Sequence, residues 1–255
     1  MKQSFTFWSF NHRGLGAQEL LEGAARLGYQ AVELVDEEFF PLVRRLGLEL
    51  SSHRAFSTIE QGLNRQENHP AIFKEFEANL KLASQWKIPG LIGFSGNRAG
   101  LSDDEAIEVM ALGLRKMGAL AADEGVGVWL ELLNSKRDHP DYQCDRTTFG
   151  VKVIETVNLP NVKLLYDIYH MQVMEGDILD TIANQHQHFG HYHTAGNPGR
   201  QNLDETQELY YPAIFRKIQQ TSYSGYVAHE FIPKGDVLAA LKQAFDLFNH
   251  SLETL

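Results

Sequence analysis

The feature that most constrains the fold is a regular alternation of short apolar runs with longer segments of helical period. The apolar runs, rich in aliphatic, β-branched or aromatic residues, occupy 4–10, 31–34, 48–52, 90–94, 126–132, 162–168, 188–194 and 225–231. The segments of helical period are 17–29, 38–47, 69–86, 102–125, 145–157, 176–186, 207–221 and 236–250. The pattern predicts eight strands, each followed by a helix.

Alternating strands and helices indicate a parallel sheet with right-handed crossovers. Eight such units in about 250 residues is the usual size of a closed (β/α)8 TIM barrel, an α/β fold. We therefore predict a single TIM-barrel domain over residues 1–255. A doubly wound open sheet is the alternative. The glycines in "NHRGLGAQ", after the first strand, lack the GxGxxG spacing that a dinucleotide site in such a sheet would use.

Local signals support the boundaries of several helices. Gly28, Gly47 and Gly125 each follow a helical segment, where a residue with positive φ commonly ends the helix. Ser102 and Glu105 have the spacing of a capping box and predict the start of the helix that follows.

Composition excludes several functional classes. The formal net charge is −10, which argues against a nucleic acid or an anionic membrane as the main partner. The N-terminus does not resemble a signal peptide, and no window approaches 18 apolar residues. The single cysteine, Cys144, fits a reducing compartment, and Asp145 beside it disfavours a reactive thiolate. We expect a soluble cytoplasmic protein that acts on a small molecule. The sequence leaves the oligomeric state open, a homo-oligomer included.

Four potential metal ligands recur at the ends of consecutive predicted strands. Glu131, Asp167 and Glu230 each interrupt or end an apolar run, and His193 lies in "FGHYHT" between the last two acids. The intervals are 36, 26 and 37 residues, each about one βα unit. Strand ends of a barrel converge on the mouth where active sites lie, so we expect these side chains to meet there.

The chemistry of that set favours a cation. Three neighbouring carboxylates raise one another's pKa unless positive charge compensates them. Carboxylates with one imidazole suit Mn²⁺ or Mg²⁺ best and also accept Zn²⁺, Co²⁺ or Ni²⁺. Taken alone, each acid is as easily a strand-end residue facing solvent. His191, two residues before His193, is expected to be a packing histidine.

Several longer motifs resemble a known family. The segments "ELLNS", "NVKLLYDIYHMQVMEGD", "GHYHTAGNPGR" and "SGYVAHEFIPKGD" are similar to the hydroxypyruvate isomerase branch of the xylose isomerase-like TIM-barrel superfamily. The resemblance covers most of the chain and is densest from 126 to 236. It implies a metal-dependent isomerase whose ligands are those found from the spacing: Glu131, Asp167, His193 and Glu230.

The resemblance also implies substrate-binding residues: His53 after the third strand, His170 three residues after the metal-binding Asp, and Arg200 in the loop after the seventh strand. In the implied reaction, the metal stabilises an enediolate while Glu131 and Glu230 move the carbon-bound proton. Arg200 presents a planar fork suited to an anionic end of the substrate.

The chain departs from the family pattern at two positions. His193 stands where hydroxypyruvate isomerases usually have Gln, and His is typical of ketose 3-epimerases. Those epimerases also have a Glu six residues after the metal-binding Glu, where this chain has Arg137. A ketose 3-epimerase and a 2-oxo-tetronate isomerase therefore stay open beside a hydroxypyruvate isomerase.

Two more distant alternatives differ in class. An AP endonuclease-like enzyme would need further metal ligands and a basic surface, which the charge disfavours. A non-catalytic sugar-binding barrel could keep every ligand, and only a test of chemistry separates it from an enzyme.

Overall fold

The computed structural model describes residues 1–11 and 14–253. Its strands are β1 (Lys2–Phe5), β2 (Ala31–Val32), β3 (Glu49–Leu50), β4 (His53–Arg54), β5 (Gly90–Gly93), β6 (Gly127–Glu131), β7 (Val162–Asp167), β8 (Phe189–Thr194) and β9 (Tyr226–His229). Its helices are α1 (Phe7–Phe10), α2 (Ala17–Leu27), α3 (Phe40–Arg45), α4 (His69–Trp86), α5 (Asp103–Asp123), α6 (Thr147–Val157), α7 (Ile168–Met174), α8 (Ile178–Gln185), α9 (Tyr211–Gln220) and α10 (Val237–Glu253).

The chain forms two compact units. The central unit comprises Ser52–Gly176 and Gln187–His191. The terminal unit comprises the chain up to Ser51, Asp177–His186, and the chain from Tyr192 onward. Strand β8 supplies its first half to the central unit and its second half to the terminal unit, so His191 and His193 belong to different units.

In the terminal unit, parallel strands lie in the order β1-β9-β8, with a separate parallel pair of β2 and β3. Phe5 is opposite His229, and His193 is opposite Ala228. Helix α10 packs against α2 and α9. This register places the end of β8 beside Glu230, which directly follows β9.

In the central unit, β4, β5, β6 and β7 are parallel and adjacent in that order. Helix α5 packs against α4 and α6. The strands are buried on both faces, as expected of a parallel sheet covered by helices. Glu131 is opposite Leu165, so Asp167 lies one pleat beyond it on the neighbouring strand.

A large aromatic side chain fills one face of the central sheet. The Trp129 indole stacks on the His191 imidazole, with ring centroids 4.7 Å apart and an interplanar angle of 7°. A Cβ at Gly90 would lie 2.3 Å from the indole, and one at Gly190 would lie 2.5 Å from it. The two strands therefore need glycine at these positions. The stacking agrees with the prediction that His191 is a packing residue.

Most predicted boundaries are confirmed within a few residues. Gly28, Gly47 and Gly125 have φ values of +100°, +77° and +69°. Ser102 and Glu105 form the predicted capping box. None of the helices in the described part of the chain is long and apolar enough to cross a membrane.

One local prediction is wrong. Residues 4–10 are not one strand, because β1 ends at Phe5 and a single helical turn follows, closed by the Asn11 N–H donating to the Phe7 carbonyl. The strand predicted over 162–168 is confirmed to within one residue and ends at Asp167, where helix α7 begins. The carboxylate of Asp167 accepts from the His170 N–H, and such a cap favours the helix over further strand.

Candidate functional site

In the terminal unit, a carboxylate lies beside each ring nitrogen of His193. The imidazole lies near the end of β8 and is fully buried. Its Nε2 is 2.6 Å from Oε1 of Glu33, and its Nδ1 is 3.1 Å from Oε2 of Glu230. Both ring nitrogens therefore face oxygen ligands, and one imidazole with two carboxylates is a set that binds divalent cations.

Glu33 is a member of this cluster that the sequence analysis missed. It follows β2, is fully buried, and accepts a hydrogen bond from the Ser51 hydroxyl at 2.9 Å. Its backbone N–H donates to the Phe5 carbonyl, which fixes it against β1. Glu33 is a single acid in the apolar run "AVEL", which is the same signal that identified Glu131. The sequence therefore contained the information needed to predict that Glu33 is buried.

Glu230 is held by two further side chains of the terminal unit. An Arg200 guanidinium nitrogen lies 2.5 Å from its Oε2, and the Trp8 indole N–H donates to its Oε1 at 3.0 Å. The guanidinium also lies 5.4 Å from the centre of the Trp8 ring. The structure thus brings together three predicted residues, His193, Glu230 and Arg200, and adds Trp8.

The central unit carries the other two predicted ligands at adjacent strand ends. Glu131 is the last residue of β6 and Asp167 the last of β7. Their exposures are 5% and 1%. The Tyr142 hydroxyl donates to the Glu131 carbonyl at 2.9 Å, and the His170 N–H donates to Oδ1 of Asp167 at 2.9 Å. Both acids are therefore buried at strand ends, as their positions in the sequence predict.

His170 lies beside Asp167 and is fully buried in the first turn of α7. Its Nε2 is 3.8 Å from Oδ2 of Asp167. On its other side, Nδ1 lies 2.6 Å from the side-chain nitrogen of Asn134 and 3.2 Å from the Asn134 backbone nitrogen. The predicted substrate-binding histidine thus has one ring nitrogen facing an amide and the other facing a candidate metal ligand.

His53, the remaining predicted residue, lies in β4 of the central unit and is 2% exposed. Burial, with a smaller contribution from the Arg54 cation, lowers the pKa of His53 to about 4. The imidazole is therefore neutral at physiological pH. A neutral imidazole can both donate and accept a hydrogen bond, which suits a group that contacts substrate hydroxyls.

The chain matches known proteins over most of its length. The family model described as xylose isomerase-like TIM barrel matches residues 21–250. A putative hydroxypyruvate isomerase of Homo sapiens is 29% identical over 189 residues, which are 71% of this chain and 68% of that protein. The hydroxypyruvate isomerase of Escherichia coli K12 is 31% identical over 156 residues, 61% of this chain and 59% of that one.

A solved structure shows the same fold. It is described as an AP endonuclease of family 2 from Brucella melitensis and superposes with a TM-score of 0.85. The match covers 94% of this chain and 97% of that chain at 24% sequence identity. At that identity the likeness establishes the fold alone.

Proposed function

The chain belongs to the xylose isomerase-like TIM-barrel family, and from that premise we propose that it is a metal-dependent isomerase of small hydroxy-ketones or keto-sugars. The closest fit among these activities is that of a hydroxypyruvate isomerase. The names of the human and E. coli relatives and the motifs "ELLNS" and "GHYHTAGNPGR" support this choice. The barrel predicted from the alternating strands and helices is the fold of this family.

The observation that carries the proposal is a set of buried acids at strand ends. Glu131 and Asp167 in the central unit, and His193 and Glu230 in the terminal unit, are each 5% exposed or less. An ionised carboxylate in a buried position costs several kcal/mol unless a charge or hydrogen bonds compensate it. We propose that one divalent cation is the common partner of these four side chains. Mn²⁺ or Mg²⁺ fits three carboxylates and an imidazole best, and Zn²⁺, Co²⁺ and Ni²⁺ also fit.

The residues have distinct roles in the proposed reaction. When bound, the cation supplies Lewis-acid stabilisation of negative charge on the substrate oxygens. Glu131 removes the proton from the carbon next to the carbonyl, and Glu230 returns a proton to the adjacent carbon or the opposite face. His170 and His53 bind substrate oxygens.

Arg200 binds the anionic end of an acidic substrate through its guanidinium. In the resting protein that guanidinium lies against Glu230. A substrate carboxylate placed beside it would take over part of this contact, so the same group that recognises the substrate also positions one of the two acids.

A ketose 3-epimerase is the second candidate, and the imidazole at position 193 favours it. Its two half-reactions use the same pair of acids on opposite faces of the substrate. Arg137, which stands where those epimerases have a Glu, favours the isomerase; its backbone N–H donates to the side-chain oxygen of Asn134. A 2-oxo-tetronate isomerase uses the same chemistry on a longer acid.

We also propose a cytoplasmic enzyme with small-molecule partners and no nucleic-acid or membrane partner. The net charge of −10 supports the absence of polyanion binding. A homo-oligomer is compatible with the sequence.

The test is an NMR screen for exchange of substrate protons with D₂O, over hydroxypyruvate, 2-oxo-tetronates and free ketoses. Protein stripped of metal with a chelator is compared with protein reloaded with Mn²⁺ or Mg²⁺. We expect exchange at the carbon next to the carbonyl only in the reloaded protein. Full exchange without metal would reject the metal's role. Saturable binding of the compounds without exchange would instead identify a sugar-binding barrel.

A further inference from the structure

The loop after β6 holds a side chain whose hydrogen bonds fix its orientation completely. The carboxamide of Asn134 is fully buried. Its Oδ1 accepts from the backbone N–H groups of Arg137 and Asp138, each at 3.0 Å. Its Nδ2 donates to Oδ2 of Asp138 at 2.6 Å. Because the oxygen faces two N–H donors, the amide cannot be turned round without setting donor against donor.

This orientation decides which nitrogen of His170 carries the ring proton. The Asn134 side-chain nitrogen lies 2.6 Å from His170 Nδ1, and the Asn134 backbone nitrogen lies 3.2 Å from the same atom. Both groups can only donate, so Nδ1 must accept. A neutral imidazole whose Nδ1 accepts carries its proton on Nε2. That Nε2 lies on the side of the ring nearest Oδ2 of Asp167, 3.8 Å away.

We propose that Asn134 is a positioning residue that holds His170 as the Nε2–H tautomer, so that His170 donates a hydrogen bond to the substrate oxygen that gains negative charge. The inference rests on the proposed function for its second half only. Asn134, which is not one of the proposed metal ligands, thereby has a role in positioning His170. The direction of the hydrogen bond to the substrate is also fixed: the His170 Nε2–H donates and the substrate oxygen accepts.

The direction matters for the reaction. A carbonyl oxygen can only accept hydrogen bonds, and it gains negative charge as the neighbouring carbon loses its proton. A donor already aimed at that oxygen stabilises the transition state more than the ground state. Removing one such donor typically costs about 10²–10³ in kcat. An imidazole of the other tautomer would present a lone pair to the oxygen and repel it.

The first measurement needs no turnover. Protein labelled with ¹⁵N-histidine reports tautomers directly through its ¹⁵N shifts and two-bond ¹⁵N–¹H couplings, and His170→Gln assigns the signals. We expect an unprotonated Nδ1 and a protonated Nε2 in the resting protein. A proton on Nδ1 would overturn the proposal, whatever the protein's activity.

The second measurement uses Asn134→Asp, which replaces the donor facing His170 by an acceptor. We expect the ring proton to move to Nδ1 and kcat to fall by about 10²–10³, with a smaller change in KM. The matched control is Asn161→Asp in the same unit, where the amide donates to the carbonyls of Gly118 and Val126. The control should leave both the tautomer and kcat unchanged.

The outcomes separate this inference from the proposed function. A changed tautomer with unchanged kcat would overturn the donor role while leaving an active isomerase. Wild-type protein inactive on every compound would reject the proposed function, and the tautomer would still be measured. Should Asn134→Asp fail to fold, His170→Gln and His170→Leu decide the donor role. Glutamine can place an N–H near the Nε2 position, so equal activity of the two variants would reject that role.

Discussion

The start of α7 and the end of β8 each hold a buried histidine, and the two rings have different hydrogen-bond partners. At the start of α7, His170 accepts hydrogen bonds from the side chain and backbone of Asn134. Near the end of β8, His193 has a carboxylate oxygen within 3.1 Å of each ring nitrogen. One residue type thus accepts from an amide in one region and lies between two carboxylates in the other.

This difference shows that residue type and position along a strand do not by themselves determine the role of a histidine. Both imidazoles lie within three residues of the end of a strand and are fully buried. What separates them is the group within hydrogen-bond distance, an amide for His170 and two carboxylates for His193. The carboxylates of Asp138 and Asp167 lie 3.9 Å and 3.8 Å from the ring nitrogens of His170. We expect a cation to change the surroundings of His193 more, because His193 is itself a proposed ligand whereas His170 only neighbours one.

The largest expected effect on kcat comes from replacing the two proposed proton-transfer acids, Glu131 in the central unit and Glu230 in the terminal unit. Glu131→Gln and Glu230→Gln keep the shape of the side chain but cannot take up a proton, so we expect kcat to fall by at least about 10³-fold. The measurement is turnover together with exchange of the substrate proton in D₂O. Glu108→Gln on the exposed face of α5 is the control. Either active-site variant that still exchanges the proton at a near-normal rate is not the base.

A smaller effect is expected at Glu33, whose carboxylate contacts His193. Carboxylates that orient a metal-binding histidine typically contribute about 10–100-fold to metal affinity. We expect Glu33→Gln to weaken Mn²⁺ binding by that factor in calorimetry and to leave the ¹⁵N shifts of His170 unchanged. Ser51→Ala removes one hydrogen bond to Glu33 and should have a weaker effect. Unchanged affinity in Glu33→Gln would show that the contact to His193 does not support the cation.

The smallest effect concerns His53, a third imidazole, in the same unit as His170. Its folded pKa is lowered to about 4 by burial, and the unfolded value is about 6.5. Between these values the unfolded chain binds more protons, so the free energy of unfolding falls as the pH falls from about 6.5 to about 4. We expect a loss of about 1 kcal/mol at about pH 5.5 relative to pH 7, measured by denaturant titration.

The variant His53→Gln lacks this titration, and its stability should depend less on pH over the same range. If the free energy of unfolding depends on pH equally in wild type and variant, the pKa of His53 is not lowered in the folded protein. The surroundings of His53 would then resemble solvent rather than the buried surroundings of His170.

Much of the fold could be predicted from the sequence, because the spacing of apolar residues indicates which side chains of a strand or helix are buried. The repeating strand-and-helix pattern predicted the parallel sheet order, and single acids in apolar runs predicted buried carboxylates at strand ends. Glu131 and Asp167 are both found there. Their meeting with His193 and Glu230 around a cation stays a prediction, supported by the spacing of one βα unit.

Other features could not be predicted from periodicity. The contact between Glu33 and His193 joins residues 160 positions apart, so no local pattern reveals it. The turn at Phe7–Phe10 has the aromatic composition of a strand, so its composition does not reveal the helical bond from the Asn11 N–H to the Phe7 carbonyl. The orientation of Asn134 depends on backbone N–H groups of a loop whose course the sequence does not specify.

The contact between Trp8 and Glu230 makes Trp8 an intrinsic fluorescent probe of the surroundings of Glu230. The indole donates to the carboxylate while 44% of the side chain stays exposed, whereas Trp129 is 8% exposed and stacked on His191. Fluorescence of Trp8 is therefore sensitive to whatever changes the charge or hydrogen bonding of Glu230. Titrating cation or substrate and following emission in a background with both Trp86→Phe and Trp129→Phe, which leaves Trp8 alone of the three tryptophans, would report occupancy without a dye or a coupled assay.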